Sequence, residues 1–153
     1  MTGRLNKKTI IVTGAGSGLG RASALKLAEE DAQVFCVDIN PETVKETSDI
    51  ITSRGGVAYH YQADMCSETE IIAMVTEAEK TYNGIDGLLA NAGIAGTGAA
   101  HETSLEDWDR LIKVSLTGKW LCAKHVIPHF IAKKSGNIVF QSSICALNGF
   151  PKL

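Results

Sequence analysis

What this 153-residue chain lacks removes several classes of function before any motif is considered. No stretch reaches the 18 or more consecutive apolar residues of a membrane-spanning helix, and the opening Met1 to Lys8 is polar with no apolar signal core. The reading is a cytoplasmic protein without a membrane partner. Basic residues are not in excess, since 15 Lys and Arg stand against 17 Asp and Glu for a net charge of −2. Without a basic face or an aromatic ladder, nucleic-acid binding has no support. Cysteine is sparse: Cys36, Cys66, Cys122 and Cys145 are far apart, form no Cys-x-x-Cys pair, and mostly stand among apolar neighbours. Reduced core thiols are expected, with no zinc site and no disulfide framework. Neither His101 nor His125 stands in a triad-like context, so hydrolase chemistry finds no residues to use.

What is present is an ordinary globular balance, 44% apolar and 21% charged, in a length that fits a single domain over 1–153. Its organising stretch runs Thr9-Ile-Ile-Val-Thr-Gly-Ala-Gly-Ser-Gly-Leu-Gly20. Ile10 to Val12 read as a buried strand, and Leu19 to Glu30 as a helix whose N-terminal amides face a glycine turn. Unpaired N–H groups and the helix dipole make such a corner a cradle for phosphate, formed by Gly14, Ser17, Gly18, Leu19 and Gly20.

Four further strand runs alternate with helices: Gln33–Asp38, Val57–Gln62, Ile85–Ala90 and Asn137–Gln141. The helices are expected over Pro41 to Arg54, from about Ser67 through Tyr82, and from Ser104 to about Lys134 with a late bend at Pro128. In the last of these, Trp108, Leu111, Ile112 and Ser115 trace one face, and Leu116, Trp120, Ala123, Ile127 and Phe130 another, so burial on two sides is expected. The alternation predicts an α/β, doubly wound Rossmann-type parallel sheet of strand order 3-2-1-4-5. Asp38 ends the second strand 18 residues beyond Gly20. In doubly wound folds an acid there accepts hydrogen bonds from the adenosine ribose and favours NAD, a 2′-phosphate meeting negative charge. A capping carboxylate ahead of Pro41 is the alternative reading.

The glycine spacing then distinguishes two motifs. Position 19 is Leu where the common dinucleotide fingerprint has Gly, whereas Gly14, Gly18 and Gly20 match Thr-Gly-x-x-x-Gly-x-Gly. That form resembles the short-chain dehydrogenase/reductase family, and the resemblance runs through the whole chain. It implies an NAD-dependent oxidoreductase that interconverts a secondary alcohol and a ketone by hydride transfer. It further implies that Asp64 and Met65 border the adenine and that Asn91, Ala92 and Gly93 lie beside the ribose and ring, Ala90 replacing the first Asn of the family segment. Ser143 matches the catalytic serine. Ser115 stands where the family has a catalytic Asn, within Val114-Ser115-Leu116-Thr117-Gly118, as either a substituted relay residue or a plain helix residue.

The family pattern continues with a Tyr-x-x-x-Lys pair about a dozen residues after the serine. Tyr59, Tyr61 and Tyr82 all precede Ser143 and none has Lys four residues on. The expectation is therefore a sequence truncated relative to the family: incomplete at its C-terminal side, inactive and poorly behaved as an isolated monomer, and homo-oligomeric when full length, one apolar face of its last helix packing against a helix of a partner subunit as the resemblance implies. A non-catalytic nucleotide-binding or interaction module is the alternative.

Overall fold

The computed structural model describes residues 3–96 and 98–149. Five parallel strands form one sheet of order β3-β2-β1-β4-β5, the expected order: β1 (Thr9–Thr13), β2 (Gln33–Asp38), β3 (Val57–Gln62), β4 (Gly87–Ala90) and β5 (Asn137–Phe140). The helices between them are α1 (Gly18–Glu29), α2 (Pro41–Ser53), α3 (Glu68–Tyr82), α4 (Leu105–Ile112) and α5 (Gly118–Lys133).

The strand period of two sorts the apolar residues into two cores. Ile11, Phe35, Val37, Leu88 and Ala90 face Ile71, Met74, Val75 and Ala78 of α3 and Leu121, Cys122, Ala123 and Val126 of α5. Val12, Val34 and Cys36 face the other way, onto Ala24 of α1 and Val44 and Ile51 of α2. Strands covered on both faces need continuous apolar runs, which explains why β1 and β2 read as blocks and not as alternations. Fully burying each large aliphatic side chain contributes about 1.5–3 kcal/mol, so these two layers carry most of the stabilisation. At the sheet edge, Val139 and Phe140 of β5 remain more than half exposed, as expected of a strand with no neighbour beyond it among the described residues.

Helix starts follow their capping residues. Asn40 Oδ1 accepts from the Glu42 and Thr43 N–H groups ahead of Pro41, and Ser67 and Ser104 accept from Glu70 and Asp107. Several expectations need correction. β4 begins at Gly87 and not at Ile85, and β5 ends at Phe140 and not at Gln141. The long third helix is interrupted: Lys113–Thr117 form a wide π turn between α4 and α5. One extra residue in a turn rotates the remainder of the helix by about 100°. In the single chain Leu116, Trp120 and Ile127 stand exposed, on a face the family resemblance leaves to a partner helix, while Leu121, Cys122, Ala123 and Val126 are buried against the sheet. Trp108 of the other face is exposed as well. The thiols divide too: Cys36 and Cys122 are core residues, but Cys145 is exposed.

Candidate functional site

β1, β4 and β5 end on the same side of the sheet, and helices leave in opposite directions from β1 and β4, which opens a crevice at the β1/β4 boundary. Thr13 closes its floor. Its Oγ1 accepts from the Asn91 and Ala92 N–H groups, both at 3.1 Å, while the Asn91 side-chain amide donates to the Thr13 carbonyl at 3.0 Å. Thr13 heads the glycine motif but was not among the expected site residues; its signal was the Thr-Gly pair that begins the motif.

The glycine turn is shaped by close approach. Gly14 has φ +68°, and a Cβ on it would lie 2.8 Å from the Asn91 amide nitrogen. A Cβ on Gly20 would run into the Gly14 carbonyl oxygen. Gly18, at φ +52°, faces open space, so conformation and not crowding selects glycine there. Ser17 begins α1 but its hydroxyl makes no capping bond, and no acidic side chain lies in the first turn. The N–H groups over Gly18, Leu19 and Gly20 thus form a helix start without a side-chain acceptor, the condition under which a phosphate is held by backbone alone. Leu19 is exposed above it.

Around this corner the second layer is fixed by polar contacts. Asp38 Oδ2 accepts from Gly16 N–H at 2.9 Å and Oδ1 from Asn40 N–H at 3.0 Å. Arg21 donates through Nε and Nη2 to the Gly16 carbonyl at 3.0 and 2.6 Å, and pairs with Glu46 at 2.7 Å. Buried Thr47 donates to the Ala15 carbonyl at 2.9 Å. A cavity of about 300 Å³ runs from Gly14 along Asp38 and Ile39 to Asp64, Met65, Ala92 and Gly93; of the other expected residues, Asn91 lines the neighbouring cavity, and Ser17, Gly18, Leu19 and Gly20 line neither. Asp64 serves the local loop as well, Oδ1 accepting from Cys66 N–H at 2.8 Å. Gly118 lets α5 approach: a Cβ there would meet the Met65 carbonyl oxygen at 2.5 Å.

A second cavity, about 680 Å³, opens beyond Asn91 and Gly93 and is lined by Ser115 and Ser143. Ser143 Oγ accepts from Cys145 N–H at 3.1 Å, which leaves its own proton free to donate. Ser115 is not back-bonded within its helix. Its hydroxyl accepts from Ile94 N–H at 3.2 Å and donates to the Ile94 carbonyl at 3.3 Å, clipping the loop after β4 to the π turn. Tyr59, Tyr61 and Tyr82 pack around Phe35, with ring centroids 5.4, 5.7 and 6.5 Å away, and none lines either cavity. Burial pushes the Tyr82 phenol far above its ordinary value. Among the described residues no group of acidic, His and Cys side chains could hold a metal ion, and no helix is long and apolar enough to cross a membrane.

Comparison with known proteins gives one consistent result. Residues 8–153 match the family described as short chain dehydrogenase. The chain is 33% identical over 153 residues to 2-(S)-hydroxypropyl-CoM dehydrogenase 3 of Xanthobacter autotrophicus, covering 100% of this chain and 60% of that protein. It is also 33% identical over 154 residues to cyclohexanol dehydrogenase of an Acinetobacter species, covering 100% and 61%. The crystal structure of NAD+-bound xylitol dehydrogenase superposes with a TM-score of 0.94 at 31% identity, over 97% of this chain and 58% of that one. The chain spans between about half and three fifths of the length of the curated relatives it matches.

Proposed function

The chain belongs to the short-chain dehydrogenase family, and on that footing we propose that it binds NAD and serves an oxidoreductase that interconverts a secondary alcohol and a ketone. One observation carries the cofactor choice: the Asp38 carboxylate stands at the end of β2, held from both sides by Gly16 and Asn40 N–H, on the wall of the groove beside the glycine turn. A carboxylate so fixed accepts from ribose hydroxyls and repels a 2′-phosphate. Arg21, the cation at the glycine turn, is committed to the Gly16 and Thr43 carbonyls and to Glu46, so it offers no pairing for a phosphate there; Arg110 is the cation that lines the groove itself.

The uncapped amides of α1 would hold the pyrophosphate, Asp64 and Met65 the adenine side, and Asn91, Ala92 and Gly93 the nicotinamide side. NAD, when bound, supplies the hydride acceptor. Ser143 donates a hydrogen bond from its free hydroxyl to the substrate oxygen and keeps its proton, stabilising negative charge there as an oxyanion donor does. Ser115 holds the Ile94 loop that borders both cavities, a positioning task. The complete family unit is proposed as a soluble homo-oligomer, with the exposed Trp120 and Ile127 side of α5 as its interface.

Titration of the chain with NADH and NADPH, followed by nicotinamide fluorescence, tests the cofactor choice. NADH should bind at least about tenfold more tightly, and Asp38→Ala should remove most of that margin, since one lost charge-assisted contact is worth about 1.5–3 kcal/mol. Tighter NADPH binding, or an unchanged margin in Asp38→Ala, would refute it. A second expectation concerns chemistry. With the three tyrosines committed to Phe35, residues 1–153 alone should hold NADH yet show no absorbance change at the nicotinamide band with cyclohexanol and NAD. Measurable turnover would mean that another group beside Ser143 handles the proton.

A further inference from the structure

Lys119 lies one helical turn after Ser115, on the same face of the helix, and reaches into the 680 Å³ cavity beside Ser143. The two head groups converge on Gly93: a Cβ placed there would lie 3.5 Å from Ser115 Oγ and 3.7 Å from Lys119 Nζ. Their hydrogen-bonding states differ. The Ser115 hydroxyl is used in both directions by Ile94. The Lys119 ammonium donates to the Gln141 carbonyl at the end of β5 and keeps two further donors.

Among the described residues no carboxylate pairs with Lys119. Lys8 and Lys133, by contrast, both reach Asp86, and Lys124 reaches Glu68. Burial holds the Lys119 ammonium below its ordinary value, with no opposing charge to restore it. A half-buried cation without a counter-ion gains more from an incoming anion than a solvated one does. Ile94, Leu116, Trp120 and Phe140 give the same space an apolar wall, and Asn91, Gln141, Ser142 and Ser143 a neutral polar one, so Lys119 is the one charged side chain among its lining residues. The cavity therefore suits a compact organic molecule with one anionic end.

We propose that Lys119 is a receptor for a carboxylate or similar anionic group on the substrate, so that the cavity selects keto or hydroxy acids over neutral ketones and alcohols. The inference rests on the proposed function in one respect, that the Ser143 side is the substrate side. The bland alternative is a staple, with Lys119 doing no more than tying α5 to the end of β5 through Gln141.

Two probes of equal shape separate these: acetoacetate and 4-methylpentan-2-one, which differ in a carboxylate against an isopropyl group. Binding of each to the chain is followed by Trp fluorescence, Trp120 lining the cavity, and by saturation-transfer NMR, with and without NADH. Acetoacetate should bind at least about tenfold more tightly, the difference expected of a charge-assisted contact. Lys119→Met should abolish the preference and Lys119→Arg retain most of it, with melting temperatures close to wild type. A wild-type chain that holds both probes equally or neither, or a preference that survives Lys119→Met, overturns the proposal. NADH binding is scored separately: an anion preference without NADH affinity would uphold the receptor and refute the NAD reading.

Discussion

Gly20→Ala is expected to destabilise the chain by about 3 kcal/mol and to weaken NADH binding by at least about a hundredfold. The added methyl would occupy the position of the Gly14 carbonyl oxygen and would also lie 2.6 Å from the Asn91 amide nitrogen. Both neighbours are backbone or backbone-anchored: Gly14 is fixed at positive φ, and Asn91 is tied to Thr13. Neither can yield without moving the turn or separating the ends of β1 and β4, which places this substitution at the upper end of overpacking costs. A domain of this size loses about 2–4 °C per kcal/mol, so the melting temperature should fall by about 10 °C. A variant that melts like wild type and keeps its NADH affinity would show that the turn is not the rigid cradle described. Gly18→Ala provides the contrast, because its side chain would meet open space and suffer only the positive-φ penalty.

Asp86→Asn should cost about 2 kcal/mol, and wild type should show the matching acid sensitivity. Asp86 is far from either cavity, so the effect is on stability alone. It sits between α3 and β4; Oδ2 accepts from Thr9 N–H at 3.0 Å, and Oδ1 from Lys8 at 3.1 Å and Lys133 at 2.6 Å. Burial pushes its carboxyl upward, but the bonds from Lys133, Thr9 and Lys8 outweigh burial and leave it below the ordinary value of 3.8. With the folded value depressed, the stabilisation is fully present above the unfolded value near 4 and is lost as pH falls through the lower folded value. Asn retains a carbonyl acceptor but sets an amide among three donors, so one contact turns unfavourable. Urea midpoints at pH 7 and pH 3 measure both effects. Equal losses for wild type and Asp86→Asn on acidification would remove Asp86 as the source.

How legible the molecule was in its sequence varied with the physics of each part. β2 and β3 fall where their apolar runs and flanking turns placed them, Gln33–Asp38 and Val57–Gln62, because burial pattern and turn chemistry agree there. The glycine turn and the Asp38 carboxylate beside it were readable for the same reason, glycine spacing and a strand-end acid being local signals. The π turn was not readable, because Lys113–Thr117 holds no Gly or Pro, and its extra residue is stabilised by Ser115 meeting Ile94, a contact 21 residues away in sequence. Lys119 was not singled out, because its contact with the Gln141 carbonyl lies 22 residues away in sequence and leaves no local signal. Thr13 was hidden in plain sight, its hydroxyl acting on a strand end 78 residues downstream.

The position of β1 in the sheet sets an order of events during synthesis. Its partner on one side is β2, with Thr9 opposite Gln33, but on the other it is β4, with Ile10 opposite Gly87. As the chain leaves the ribosome, β1, β2 and β3 can therefore associate once residue 62 is out, while the opposite edge of β1 stays bare until residue 90 emerges. At roughly 5–20 residues per second that interval lasts about 1 to 6 s. Throughout it, Ile10 to Val12 present unpaired N–H and C=O groups flanked by apolar side chains, the form of edge that recruits foreign strands. The same central placement that puts the glycine turn at the crevice thus makes the nascent N-terminal half dependent on prompt arrival of β4, or on a chaperone shielding that edge until it comes.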